Sequence, residues 1–118
     1  MEQKFERKKG AVLVSESVVA SITANAVNEI SGVSAICTGK RSLLKRVTGV
    51  GDPEGADIRI VFSGDVVGIT LSIILRGGHK AVSVAEVIQS RVKEAVQEMT
   101  GLTVSRVNVI IAGIDFPD

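Results

Sequence analysis

The chain has 118 residues, 45% of them hydrophobic and 23% charged, with fourteen Lys and Arg against thirteen Asp and Glu. That length is one domain, and the net charge of +1 sets up no global field that would commit it to nucleic acid or a membrane. The single cysteine excludes an intramolecular disulfide, and Cys37 with His79 cannot assemble a four-ligand Cys/His zinc site.

In chain order, Met1–Lys9 is charged and aperiodic and is expected as a flexible basic tail ahead of a single domain over residues 10–118. No apolar stretch follows it, so no secretory signal is expected. Ala11–Val14 is a short apolar run, hence a strand, and Ser15 is placed to cap a helix from Glu16 to about Ile30. Val18, Val19, Ile22, Ala26 and Ile30 recur there at helical spacing, and Gly32 is expected as a left-handed stop. Val33–Cys37 reads as a short strand. Thr38–Gly55 is irregular, with Leu43, Leu44 and Val47 able to line a short helix before a loop containing Gly49, Gly51, Pro53 and Gly55.

Ile58, Ile60 and Phe62 alternate with Asp57, Arg59 and Val61, and Ser63-Gly64-Asp65 turns the chain into Val66–Leu75. There Val67, Ile69, Leu71, Ile73 and Leu75 keep the period of two, so the pair is a hairpin. At about ten residues the stretch is far short of the roughly 20 that a membrane helix needs. After Arg76-Gly77-Gly78-His79-Lys80 comes a second helix, with Ser83 and Glu86 spaced as a capping box. Its expected buried stripe is Val84, Val87, Ile88, Val92, Ala95, Val96 and Met99, and Gly101 ends it before a last strand, Val104–Ile111. Glu29–Val33 and Glu98–Leu102 match in chemistry at five positions, a weak repeat that any helix-to-strand link would also produce. The order β-α-β-β-β-α-β, with two amphipathic helices and one apolar face per strand, implies an α+β fold. Both helices pack on one face of a small mixed sheet.

Gly10-Ala11-Val12, Ser15, the helix with Val18, Ile22, Ala26 and Glu29, and Gly32-Val33 resemble the opening of the bacterial alkaline shock protein (general stress) family. The second half is more similar still: Val84, Val87, Gln89, Val92, Ala95 and Val96 lead into Met99-Thr100-Gly101-Leu102 and Val104. Val107-Asn108-Val109, Ile111, Gly113-Ile114 and Phe116 follow. The resemblance spans about Gly10 to Phe116 and is poor across Thr38–Gly55. It implies a cytoplasmic, self-assembling protein tied to envelope stress, membrane-proximal in some members through a separately anchored partner. It carries over no catalytic residue.

Motifs for other chemistry fail residue by residue. Gly39-Lys40 lacks the glycine a phosphate loop needs at position 34, where Ser34 stands, and Arg41 occupies the Ser/Thr position. Gly49-Val50-Gly51 lacks the third glycine of a dinucleotide fingerprint, and the GXXG clamp and aromatic platforms of RNA modules are absent. Cys37 has apolar neighbours and is expected as a small core residue. No metal, cofactor or catalytic residue is expected.

Three candidate contact regions remain. Lys40, Arg41, Lys45 and Arg46 form a basic island with no acid nearby, either a solvated loop or a contact for phosphates or a partner's acidic surface. Arg76, Gly77, Gly78, His79 and Lys80 precede a helix and form a weak anion-site candidate; a plain strand-to-helix turn needing positive φ is the favoured reading. Val66, Ile74 and Ile110 point away from the core-facing sets of their strands and are candidates for self-association. The function these imply is a non-enzymatic, stress-associated assembly or scaffold protein: a homo-oligomer without membrane insertion, with a membrane-anchored partner possible by resemblance. The alternative is a nucleic-acid- or polyanion-binding module using residues 40–46. Neutralising Lys40, Arg41, Lys45 and Arg46 together is expected to leave thermal stability nearly unchanged and to abolish salt-sensitive heparin or RNA binding. Cooperative loss of the fold, or unaltered binding, would reassign the segment.

Overall fold

A computed structural model describes residues 2–7, 10–37 and 58–116. The chain runs through strands β1 (Glu2–Arg7) and β2 (Gly10–Ser15), helix α1 (Glu16–Asn28), and strands β3 (Val33–Ile36), β4 (Ile58–Ser63) and β5 (Val66–Arg76). Helix α2 (Ala81–Thr100) and strand β6 (Thr103–Asp115) complete it. This is an α+β fold in the expected order, with one strand more at the start.

β5 is the axis of a four-stranded mixed sheet. β6 pairs with it in parallel from Val66 to Arg76. β4 pairs antiparallel with its first half, Ile58 opposite Leu71 and Ser63 opposite Val66. β3 pairs antiparallel with its second half, Val33 opposite Leu75 and Ile36 opposite Ile73. A strand has only two edges, so β3 and β4 lie end to end along the edge opposite β6. The β4–β5 turn has Gly64 at φ +63 and no positive φ at Asp65, the pattern of a type II′ hairpin.

One face of the sheet is the core. Val67, Ile69, Leu71, Ile73 and Leu75 are buried, and they share a cluster with Val19, Ile22 and Val27 of α1 and Val84, Ile88, Val92 and Val96 of α2. Each such side chain contributes roughly 1.5–3 kcal/mol through burial. The helices touch each other, α1 also touching β3 and β4 and α2 touching β6, so both cover the same face.

Several sequence expectations change. Glu2–Arg7, expected as a tail, forms β1 and pairs antiparallel with β2, Phe5 opposite Val12. Its charged residues have little intrinsic preference for a strand, and the pairing with β2 supplies what propensity does not. Val18 is exposed, whereas Thr23 and Val27 are buried. The α1 face is thus rotated, and Thr23 is tolerated because its hydroxyl donates to Val19 O at 2.8 Å. Val87 and Met99 lie outside the α2 stripe, which narrows to Val84, Ile88, Val92 and Val96. Ser15 does cap α1, accepting from Val18 N–H at 3.3 Å.

The two helix-to-strand links differ despite their matching sequence. Gly101 is left-handed, φ +78, and its N–H donates to Gln97 O. Gly32 is not left-handed: α1 ends at Asn28 with Glu29 as its C-cap, and the chain turns through Ile30 N–H donating to Val27 O and Val33 N–H to Ile30 O. Glycine is required at position 32 because a Cβ there would overlap Val84 Cγ2, with the His79 ring close behind. Gly32→Ala is therefore expected to lower stability by about 1–3 kcal/mol in urea unfolding, since a buried branched side chain must shift. Unchanged stability would show that α2 yields freely at this point.

Candidate functional site

Alternation along β4, β5 and β6 builds a second face, away from the helices. Val66, Gly68, Thr70, Ser72 and Ile74 alternate with the five buried residues of β5, and each is half-buried. β4 presents Arg59 beside Thr70 and Val61 beside Gly68. β6 presents Arg106 beside Gly68, Asn108 beside Thr70 and Ile110 beside Ser72. Val66, Ile74 and Ile110 therefore share one face, but not one patch. Val66 and Ile74 are eight residues apart, about 26 Å along the strand.

Val61, 63% exposed, belongs with Val66 at the hairpin end, while Ile110, 50% exposed, lies one step diagonally from Ile74. A polar band separates the two patches: Arg59, Thr70 and Asn108, with Asn108 Nδ2 donating to Thr70 Oγ1 at 3.2 Å. The glycines on this face are occupied from within the chain. Arg106 lies across Gly68, and Ile74 Cδ1 sits 3.3 Å from where a Cβ of Gly113 would be. Val61 also belongs to this uncovered face, whereas Ile114, paired with the core-facing Leu75, is exposed on the helix side at the end of β6. Alternation alone put Val61 on this side, whereas Ile114 lies beyond the strand end that the periodicity suggested.

The turn into α2 divides the anion-site candidates. His79 and Lys80 line a cleft of about 330 Å³ between the α1–β3 turn and α2, together with Glu29, Ser83, Val87 and Arg91. Arg76, Gly77 and Gly78 are outside it. Gly77 is explained by close packing, its N–H donating to Asp115 O and Phe116 leaving no room for a Cβ, and Gly78 by φ +93. The capping box is not formed. α2 starts at Ala81, whose packing on the core draws two further residues into the first turn, so Ser83 is inside the helix. Lys80 is the N-cap residue, and its side chain makes no capping bond.

Cys37 and His79 are held apart. Cys37 N–H donates to Ser72 O, whereas Gly32, against which His79 packs, accepts from Arg76 N–H. Four residues of β5, about 13 Å, separate those points. Among the described residues no three His, Cys, Asp or Glu side chains converge as a metal site. Lys40, Arg41, Lys45 and Arg46 lie outside the described residues.

A family model described as having a cell envelope-related function, that of alkaline shock protein 23, matches residues 4–116. The chain belongs to the alkaline shock protein 23 family. Within this family's reach are two bacterial relatives. Spy1614, an uncharacterized protein of Streptococcus pyogenes serotype M6, is 30% identical over 122 residues, covering 97% of this chain and 95% of its own. YloU, an uncharacterized protein of Bacillus subtilis, is 25% identical over 116 residues, covering 97% and 96%.

Among solved structures, variants of the MamM CTD are similar in fold. One has a TM-score of 0.52 at 15% identity, covering 84% of this chain and 95% of its own, and another 0.51 at 12%, covering 88% and 100%. At that identity the likeness concerns the fold alone. The alkaline shock protein 23 match includes part of β1, the α2 start and the whole of β6.

For this family member, Lys80→Asp is expected to raise stability by about 1 kcal/mol. It would supply the missing cap and a negative charge at the helix N-terminus. Urea unfolding checks this, and no gain would mean that the first-turn amides of α2 are already satisfied.

Proposed function

We propose that this protein is a non-catalytic assembly or scaffold component of the cell-envelope stress response, acting through self-association and protein–protein contact. The observation that carries the reading is the uncovered side of the four-stranded sheet. Both helices are used on one face, and the opposite side keeps Val61 and Ile110 largely exposed. Contiguous apolar surface on a monomer usually marks a contact site. The polar band of Arg59, Thr70 and Asn108 favours a modest interface over an obligate one.

The family's envelope-related function supports a partner at the cell boundary. In this reading the chain is cytoplasmic and is brought there by an anchored partner; no helix among the described residues is long and apolar enough to cross a membrane. The separation of Cys37 from His79 supports a role without turnover. Light scattering after size-exclusion chromatography tests the reading: the mass should rise above that of one chain as concentration increases. Ile110→Lys should weaken the association ~tenfold without loss of the fold, because half of this side chain is already in water. A strictly monomeric mass over a wide concentration range would overturn the proposal.

A further inference from the structure

β6 has only β5 beside it among the described residues, so its other edge is open over thirteen residues. The first part of β6 is served by α2. Gln97 Oε1 accepts from Val104 N–H at 3.1 Å, and Gln89 Nε2 donates to Val107 O at 3.1 Å. Beyond Val107 no such bond from α2 is present among the described residues. That stretch, Asn108 to Ile114, holds no charge and no proline, the usual protections of an exposed edge. It also carries two exposed isoleucines, Ile110 at 50% and Ile114 at 51%. The segment 38–57 leaves and rejoins the sheet at the opposite edge, where β3 and β4 lie.

We propose that this edge pairs with the same edge of a second copy, antiparallel, about a two-fold axis at Ile110. The inference rests on the self-association proposed above and names its contact. The register follows from charge. Arg106 stands beside Gly68, two steps of the pleat from Ser72, which is the β5 partner of Ile110. Asp115 stands beside Arg76, two steps on the other side, and on the same outer face. A two-fold axis through Ile110 therefore sets Arg106 opposite the second copy's Asp115, and Asp115 opposite its Arg106.

Both residues are exposed, but each side chain lies over β5 in the single chain, Asp115 Oδ2 accepting from Ser34 Oγ at 2.7 Å and Arg106 lying across Gly68. Each therefore swings to the open edge when the second copy pairs. The same register puts Ile110 against its symmetry mate and Ile114 beside the mate's Val107, covering both exposed isoleucines. The sheet then continues from one copy into the next, and the extra residue of β6 near Ala112 lies outside the central pairs. Within one chain the two charges cannot meet. Their β5 partners, Gly68 and Arg76, are about 26 Å apart.

That separation makes the test specific. Arg106→Glu and Asp115→Arg should each weaken dimerisation ~tenfold or more, since two attractive pairs become two repulsive ones. An equimolar mixture of the two variants should recover wild-type dimerisation, because every cross-pair is then complementary. Variants that dimerise like wild type, or a mixture without recovery, would overturn this edge while leaving self-association standing. A strictly monomeric wild type would overturn both. Should a variant fail to fold, hydrogen exchange on the wild type decides. Protection of the Val109 and Ile111 amides should increase with protein concentration, and concentration-independent exchange would overturn the pairing.

Discussion

Both helices and the rest of the four-stranded sheet depend on the burial of one face of β5. Val67, Ile69, Leu71, Ile73 and Leu75 are removed from water together, and the strand's two edges are used by three partners. A one-residue slip would carry all five side chains to the wrong face, so the register is held by the hydrophobic pattern as much as by hydrogen bonds. The parallel β5–β6 pairing requires a crossover, and α2 supplies it while burying its own stripe on the same core. The second face, with its two apolar patches, is what remains once that demand is met.

Close approach sets the finer geometry. Gly32 lets Val84 reach the α1–β3 turn, and Gly77 lets Phe116 and the Asp115 carbonyl close over the end of β5. Gln89 and Gln97 extend from α2 to backbone groups of β6, so the crossover helix also finishes hydrogen bonds that the sheet leaves open. The glycine contacts, Gly32 with Val84 and Gly77 with Phe116, join segments far apart in sequence.

That distinction explains what was legible in the residues. The β5 alternation, the type of both helices and the outward direction of Val66, Ile74 and Ile110 follow from local periodicity, and the structure agrees with each. The role of Gly32 does not, because its cause is Val84, more than fifty residues away. The rotation of α1 towards Thr23 and Val27 escaped for a similar reason: which of several apolar stripes is buried depends on what lies opposite. β1 escaped because its residues have little intrinsic preference for a strand and gain it only by pairing with β2. The family resemblance quoted from Gly10 onward is shown by the match to residues 4–116, which includes part of that missed strand.

The shared edge of β3 and β4 has an evolutionary consequence. Cys37 N–H bonds to Ser72 O, and the next position along β5, Leu71, is paired with Ile58. The two short strands run in one direction and are two halves of a single strand, interrupted where residues 38–57 depart and return at neighbouring points. Loop-closure cost grows only slowly with length once the two ends are fixed. Insertions, deletions or wholesale replacement between Cys37 and Ile58 would therefore leave both fixed ends, and the rest of the sheet, where they are. Lineages can diversify there without renegotiating the core.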